Sequence, residues 1–251
     1  MQGLSIIIPA YNEATRLPRT FELLTQAIDG GVFSAFSLAE ILIVDDGSRD
    51  ETATRAETDR QKNPILNALI RVIRIRPNQG KGNAIHQGLS QAQGPWCLIA
   101  DADSATPWDQ FLKLNEAASA SQATPRTSIA IGSRDLPESD VRTRQSWVRE
   151  HMGKTFNLLV RFITGLSFKD TQCGFKLIHR PSIQAFLPKL KVKRFAWDVE
   201  FLMFAKKFGL KTIEVPVSWE HQDDSHVHPV RDAAEMLMRV IQLRLRLWLW
   251  Q

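Results

Sequence analysis

Four short apolar runs, each closed by polar or acidic residues, occupy the first hundred positions and leave few folds open. Residues 4–8 stop at Pro9, and residues 41–44 stop at Asp45-Asp46-Gly47-Ser48. Residues 69–75 alternate Ile70, Val72, Ile73 and Ile75 with arginines, and residues 96–100 deliver Asp101-Ala102-Asp103. An unbroken β-branched run such as Ile6-Ile7-Ile8 fits a strand covered on both faces, as parallel sheets require. Between the runs, Leu17, Phe21, Leu24 and Ile28 recur at helical spacing up to Gly30-Gly31, where a helix can end. Ser48-Arg49-Asp50-Glu51 has the form of a capping box opening the next helix, and Ile85 and Leu89 mark another. Strands alternating with helices over short turns predict an α/β fold with a mostly parallel central sheet flanked by helices.

Beyond residue 104 the alternation weakens. Thr106 and Pro107 have the chemistry of an N-cap and a first helical residue. Residues 128–134 fit a strand with a polar exit, and 135–146 a charged loop. Trp147, Met152, Phe156, Leu159 and Ile163 give an amphipathic helix, with Arg149, Lys154 and Arg161 elsewhere around it. Residues 171–178 form a glycine-interrupted strand, 195–208 a buried helix, and 211–219 an edge strand because Pro216 lies within it. From Arg231 the tail alternates charge and bulk: Glu235, Arg239, Gln242 and Arg246 share a helical stripe, and Trp248 and Trp250 lie near the end. Such an amphipathic helix either lies in a membrane interface or docks on the domain.

Composition narrows the class. With 43% hydrophobic and 24% charged residues the chain is ordinary for a globular protein. Its net charge of +5, from 32 basic and 27 acidic residues, fits an anionic ligand or a membrane surface, and no nucleic-acid partner is expected. Cys97 and Cys173 are far apart and lack metal or redox spacing, which fits a reducing compartment. No secretory signal peptide and no run of about 20 apolar residues is apparent, so a soluble or peripheral protein is expected.

The chemistry gathers at the strand ends. In a parallel sheet, Asn12-Glu13, Asp45-Asp46 and Asp101-Ala102-Asp103 come to one edge, where open α/β sheets bind ligands. Taken alone, Asp-x-Asp is either a turn that favours Asp or two hard oxygen ligands for Mg²⁺ or Mn²⁺; three acidic strand ends together favour a nucleotide site. Gly80-Lys81-Gly82 lacks the Walker A pattern, and no Gly-x-Gly-x-x-Gly follows the first strand, which disfavours a dinucleotide fold. Lys81 is either a charge for a diphosphate near a helix start or a solvated lysine in a glycine turn. His221-Gln222-Asp223-Asp224-Ser225-His226-Val227-His228 has no standard zinc spacing and is better taken as a polar loop.

In order along the chain, Ile-Ile-Ile-Pro-Ala-Tyr-Asn-Glu (6–13), Ile-Val-Asp-Asp-Gly-Ser (43–48), Asn-Gln-Gly-Lys-Gly-Asn-Ala (78–84) and Asp-Ala-Asp (101–103) resemble the family 2 inverting glycosyltransferases of the GT-A fold, a Rossmann-like nucleotide-diphospho-sugar transferase architecture. Asp-Thr-Gln-Cys-Gly-Phe-Lys-Leu (170–177) and Arg-Phe-Ala-Trp-Asp-Val-Glu-Phe-Leu (194–202) are most similar to the dolichyl-phosphate β-glucosyltransferase group within it. The likeness spans roughly residues 4–230. It implies a transferase domain over 1–230, with a nucleotide-sugar half at 1–104, an acceptor half at 105–230, and an amphipathic tail at 231–251.

The resemblance implies metal-dependent, inverting transfer of glucose from UDP-glucose to a polyprenyl monophosphate, at the cytoplasmic face of a membrane that the protein touches peripherally. Pro9, Tyr11, Glu13, Asp45, Asp46 and Lys81 match nucleotide-sugar positions, and Asp101 and Asp103 match the metal and diphosphate motif. Arg134 and Arg149 match positions for the acceptor phosphate. Asp198 matches the base of relatives with hydroxyl acceptors, with Asp170 as the other candidate; either one orients the donor sugar, or Asp198 is a structural carboxylate at a helix start. Because a phosphate nucleophile is already anionic, no strong base is needed, and Asp103 acts on the leaving diphosphate. Where the family has a Gly-Ser-Lys-like segment this chain has Asp224-Ser225-His226. The alternatives are GDP-mannose or another nucleotide sugar as donor, a non-lipid acceptor, or, in a different class, a non-catalytic membrane-recruitment module. A sugar-nucleotide pyrophosphorylase would need a glycine- and arginine-rich loop where Pro9-Ala10-Tyr11-Asn12 stands.

Overall fold

The computed structural model describes residues 1–120, 127–143, 147–220 and 229–248. In chain order these form β1 (Gln2–Ala10), α1 (Leu17–Asp29), β2 (Phe36–Asp45), α2 (Thr52–Arg60), α3 (Pro64–Leu69), β3 (Ile70–Arg74), α4 (Lys81–Gln91), β4 (Trp96–Ile99) and α5 (Gln110–Ala120). Then follow β5 (Thr127–Ser133), β6 (Asp140–Thr143), α6 (Trp147–Thr164), β7 (Lys176–His179), α7 (Arg180–Ile183), α8 (Trp197–Lys207), β8 (Lys211–Pro216), β9 (Ser218–Glu220) and α9 (Pro229–Trp248).

The unbroken apolar runs are explained by burial on two sides. Leu4, Ile6 and Ile8 of β1 pack with Ile41 and Ile43 of β2 toward α1 and α5, where Phe21, Leu24, Phe111 and Leu114 meet them. Ile7, Leu42 and Val44 face the other way, toward Ile85 and Leu89 of α4 and the buried side chains of α8. Seven strands in the order β3-β2-β1-β4-β7-β5-β8 make the central sheet. Strands β1 to β4 pair in parallel, β7 runs antiparallel to both β4 and β5, and β8 is parallel to β5 at the sheet's end. The Pro216 strand is therefore an edge strand, as expected. The expected parallel α/β sheet with helices on both faces is present, and Cys97 and Cys173 are buried and unpaired.

Several local expectations are corrected. Ser48 forms no capping box: Asp45 Oδ1 accepts its N–H at 3.0 Å and its hydroxyl. Helix α2 instead starts at Thr52, whose N–H donates to Asp50 Oδ1 at 3.0 Å. Thr106 and Pro107 do not open α5, which begins at Gln110; a turn precedes it, with Gln110 N donating to Pro107 O at 3.1 Å. Residues 64–69, unassigned from sequence apart from Leu69, form α3, capped by Asn63 Oδ1, which accepts from Ile65 N and Leu66 N. Of the strand expected at 171–178, only Lys176–His179 pairs; 170–175 is loop. The charged loop at 135–146 contains β6, which pairs with β9 in a second, two-stranded sheet.

The tail helix docks on the domain. Met236, Val240 and Leu243 of α9 are buried, and Arg246 reaches Glu200 Oε1 of α8 at 3.1 Å and the carbonyl of Lys189 at 2.9 Å. The opposite side leaves Met238, Ile241 and Leu245 exposed. Helix α6 packs beside it and exposes Leu158, Leu159 and Phe162, the last at 88%. No helix among the described residues is long and apolar enough to cross a membrane. The segment 221–228, with His226, and Trp250 lie outside the described residues.

Candidate active site at the carboxyl edge of the sheet

Topology decides which residues meet. The carboxyl ends of β1, β2 and β4 share one edge because these strands are parallel. Since β7 is antiparallel, its first residue, Lys176, comes to that edge, and β5 and β8 again point their carboxyl ends there. Asn12-Glu13, Asp45-Asp46, Asp101-Asp103, Arg134 and Lys176 are thus neighbours despite sequence separations of up to about 160 residues.

At the first strand ends the predicted residues knit the loops together. Pro9 is buried in β1 opposite Val44, and Tyr11 follows the strand half-buried. Asn12 holds a positive φ of 56°, and its N–H donates to Ser48 Oγ at 2.9 Å. Glu13 pairs with Arg16 at 3.0 Å, and its N–H reaches Thr52 Oγ1 at 2.8 Å. Asp46, buried beyond β2, accepts from Asn78 Nδ2 at 2.8 Å, Gln79 N at 3.0 Å and Gly80 N at 2.5 Å. Burial pushes the Asp46 carboxyl above its ordinary value, against the pull of those backbone donors. The result fixes the glycine loop that begins α4. Gly80 has φ 105°, and an added Cβ would meet the Lys193 carbonyl at 2.5 Å, so only glycine fits.

Lys81, the first residue of α4, places Nζ 2.5 Å from Asp101 Oδ1. Burial would raise the Asp101 carboxyl, but the charges of Lys81, Lys176 and Arg134 bring it below its ordinary value. Asp103 moves the other way, raised by burial and by the Asp101 charge beside it, while its Oδ1 accepts from Ala105 N at 3.0 Å. Ser104 between the aspartate loop and Ala105 has φ 52°. Gly174 lies against Asp101: a Cβ there would stand 2.0 Å from its Oδ2.

Arg134, leaving β5, grips the buried Asp170 at two points, Nε to Oδ2 at 2.7 Å and an Nη to Oδ1 at 3.0 Å. Its guanidinium also stacks 5.5 Å from the centre of the Trp219 ring. Burial opposes ionisation of Asp170, yet Arg134 holds the carboxyl below its ordinary value. Arg149 lies in the first turn of α6, its side chain outside the described residues. Asp198 sits in the first turn of α8 and accepts from Lys176 Nζ at 2.6 Å. Beside the glycine loop, residues 191–196 and α9 line an open cleft of about 360 Å³, with Lys191, Lys193, Arg194, Arg239, Arg246 and Glu235 on its walls.

The structure thus brings Asp101, Asp103, Lys81, Asp198, Arg134 and Asp170 to one edge, while Asp45 and Asp46 are engaged in holding its loops. Sequence reasoning missed Lys176, Gly174 and Trp219. The signal for Lys176 was present: a lysine inside Phe175-Lys176-Leu177-Ile178, a run otherwise apolar.

A family model described as glycosyl transferase family 2 matches residues 5–187. A dolichyl-phosphate β-glucosyltransferase of Dictyostelium discoideum is 33% identical, over 99% of this chain and 76% of that protein. Proteins of the same name from Homo sapiens and Saccharomyces cerevisiae are 34% and 35% identical, covering 97% and 96% of this chain and 75% and 74% of theirs. Among solved structures, mannosyl-3-phosphoglycerate synthase from Rubrobacter xylanophilus superposes with a TM-score of 0.67 at 19% identity, over all of this chain and 76% of that one. Glucosyl-3-phosphoglycerate synthase from Mycobacterium tuberculosis, solved with Mn²⁺, UDP-glucose and phosphoglyceric acid, gives 0.64 at 17%, over 98% and 79%. At those identities the structural likeness establishes the fold, GT-A. The match over residues 5–187, with relatives above 30% identity along nearly the whole chain, shows that the chain belongs to glycosyltransferase family 2.

Proposed function

We propose that the chain transfers glucose from UDP-glucose to a polyprenyl monophosphate, with inversion at the anomeric carbon. The observation that carries this is the sheet edge itself, where Lys81 and two aspartates stand beside the Arg134–Asp170 pair. The relatives named dolichyl-phosphate β-glucosyltransferase support the choice of sugar and lipid. In this reading residues 1–104 bind the donor, through Pro9, Tyr11, Glu13 and Lys81 and through the loops that Asp45 and Asp46 hold in place, and residues 105–230 bind the acceptor.

Asp101 and Asp103 fit Mg²⁺ or Mn²⁺. They are hard oxygen donors one residue apart, and the Asp101 charge already disfavours ionisation of Asp103, a repulsion that a divalent cation relieves. Magnesium-type ions are commonly held by one or two carboxylates plus substrate phosphates. When bound, the ion stabilises charge on the departing diphosphate. Lys81 offers the same diphosphate an ammonium. Arg134, with two donors committed to Asp170, has three guanidinium N–H groups left for an acceptor phosphate, and Arg149 supplies a second guanidinium. The attacking oxygen is an anion at neutral pH, so positioning replaces proton abstraction.

We place the enzyme peripherally at the cytoplasmic face of a membrane. Two buried, unpaired cysteines support a reducing compartment, and the exposed apolar side chains of α6 and α9 support membrane contact. The test offers polyprenyl phosphate with labelled UDP-glucose, GDP-mannose and UDP-N-acetylglucosamine in turn, with and without Mg²⁺. Lipid-linked label from UDP-glucose alone, abolished by chelation, is expected; label from no donor overturns the reading, and metal-independent product overturns the role of Asp101 and Asp103.

A further inference from the structure

Lys176 is wholly buried, with no exposed side-chain surface. It opens β7, opposite Ile99 of β4 and Ile131 of β5, so it lies at the sheet edge where the carboxylates gather. Its Nζ donates to Asp198 Oδ1 at 2.6 Å and to the Cys173 carbonyl. Asp198 keeps about a tenth of its side chain exposed (10%). The charge of Asp198 also acts on Lys81, and that of Lys176 on Asp101. Two lysines and two aspartates are therefore linked, as two ion pairs whose charges act on one another, at this sheet edge.

Packing alone does not account for this lysine. Burying an ammonium is costly, and replacing a buried ion pair with apolar side chains of similar volume is often neutral or stabilising. The neighbouring positions Leu177 and Ile178 are ordinary core residues. A lysine here makes sense if what matters is the carboxylate it holds.

We infer that Lys176 is a positioning residue that fixes Asp198 as an anionic hydrogen-bond acceptor for a hydroxyl of the transferred sugar, and that this pair sets which sugar is accepted. The inference rests on the transferase reading above. With Oδ1 committed to Lys176, Asp198 has Oδ2 left to accept from a hydroxyl. A general base must gain a proton and lose its charge. The 2.6 Å contact instead gives Asp198 a buried cationic partner, the geometry of a fixed hydrogen-bond acceptor. A hydroxyl bonded to a fixed carboxylate is also a strong discriminator, because a sugar lacking it leaves the buried charge unpaired.

The test compares the wild type with Asp198→Asn, Lys176→Met, Lys176→Arg and the double variant Lys176→Met/Asp198→Asn. Each is given UDP-glucose and its 3-, 4- and 6-deoxy analogues. Both kcat/KM for transfer and the Kd of each nucleotide sugar by calorimetry are read. For one deoxy donor the wild type should lose about 10- to 100-fold, and Asp198→Asn should show no further loss for that donor. Lys176→Met should lose a similar factor with UDP-glucose and keep its KM for polyprenyl phosphate, while melting lower than the wild type because Asp198 is left buried without its counter-ion. Lys176→Arg should recover part of the loss, and the double variant should be no worse than Asp198→Asn. Equal losses by Asp198→Asn across every deoxy donor overturn the inference. So does a Lys176→Met variant with unchanged donor selectivity. If the wild type makes no lipid-linked sugar, the transferase reading fails, and the same coupling sought in Kd still decides the role of Lys176 and Asp198.

Discussion

Lys81 at the start of α4 and Asp101 beyond β4 form an ion pair of 2.5 Å at the sheet edge. The same carboxylate is the proposed metal ligand, so the ammonium and the cation compete for it until a diphosphate gives Lys81 another partner. Lys81→Met should therefore bind Mn²⁺ about five- to tenfold more tightly than the wild type without nucleotide, the equivalent of roughly 1 kcal/mol for a partly exposed pair. With UDP present the variant should bind the nucleotide more weakly. Calorimetric titration with and without UDP checks this, and identical Mn²⁺ affinities would show that Lys81 does not compete.

Arg134 holds Asp170 in a buried two-point pair, which makes this arginine structural as well as a phosphate-binding candidate. Arg134→Met should cost about 3–5 kcal/mol at pH 7, because the carboxylate is left buried and unpaired. The sign with pH follows from the depressed Asp170 value. The wild type holds this stability above the ordinary carboxylate range near about 4 and loses it as pH falls through the lower folded value. Urea unfolding should thus show the gap between wild type and Arg134→Met widest at neutral pH and narrowing below pH ~4. An unchanged gap would place the stabilisation elsewhere.

The acceptor role of Arg134 needs a gentler change than truncation. Arg134→Lys keeps the charge and loses the planar fork. Its KM for polyprenyl phosphate should rise about tenfold or more while UDP affinity stays put, given what a bidentate charge-assisted contact contributes. Equal losses in both would remove Arg134 from the acceptor site.

Gly174 tests how closely Asp101 is placed. A Cβ at 174 would stand 2.0 Å from Asp101 Oδ2, so Gly174→Ala must push the carboxylate aside. Since misplacing a reacting group by about 1 Å can cost ~100-fold, kcat/KM should fall by about that factor with little change in melting temperature. Full activity in the alanine variant would show that Asp101 is free to move without consequence.

Much of this was legible in the sequence. The β-branched runs specified their strands because both faces are buried, and the aspartates fell at strand ends because carboxylates stay out of a two-sided core. What escaped depends on partners far along the chain. Asp46 is held by Asn78, Gln79 and Gly80, and no local pattern shows that a strand-end aspartate will spend itself on a loop more than 30 residues later. The reversal of β7, which carries Lys176 to the edge, is a pairing choice that a four-residue strand does not reveal. Helix starts at Thr52 and Gln110 were misplaced because local competitors, Asp45 for Ser48 and the turn at Pro107, outbid the cap chemistry.

The exposed apolar side chains of α6 and α9 are the proposed membrane contact. Six large apolar side chains there, with Arg161, Arg239 and Arg244 exposed among them, should seat on anionic vesicles. Phe162→Asp and Leu245→Asp should each reduce co-sedimentation with such vesicles while leaving UDP binding intact. Undiminished co-sedimentation of both variants would move the contact to another surface.

The central claim is glucose transfer to a lipid phosphate with inversion. The purified chain, given UDP-glucose, Mg²⁺ and polyprenyl phosphate, should yield an organic-soluble product whose glucose is joined to the phosphate in the β configuration, as read by NMR. No glucose in the lipid fraction, or an α-linked product, would contradict it.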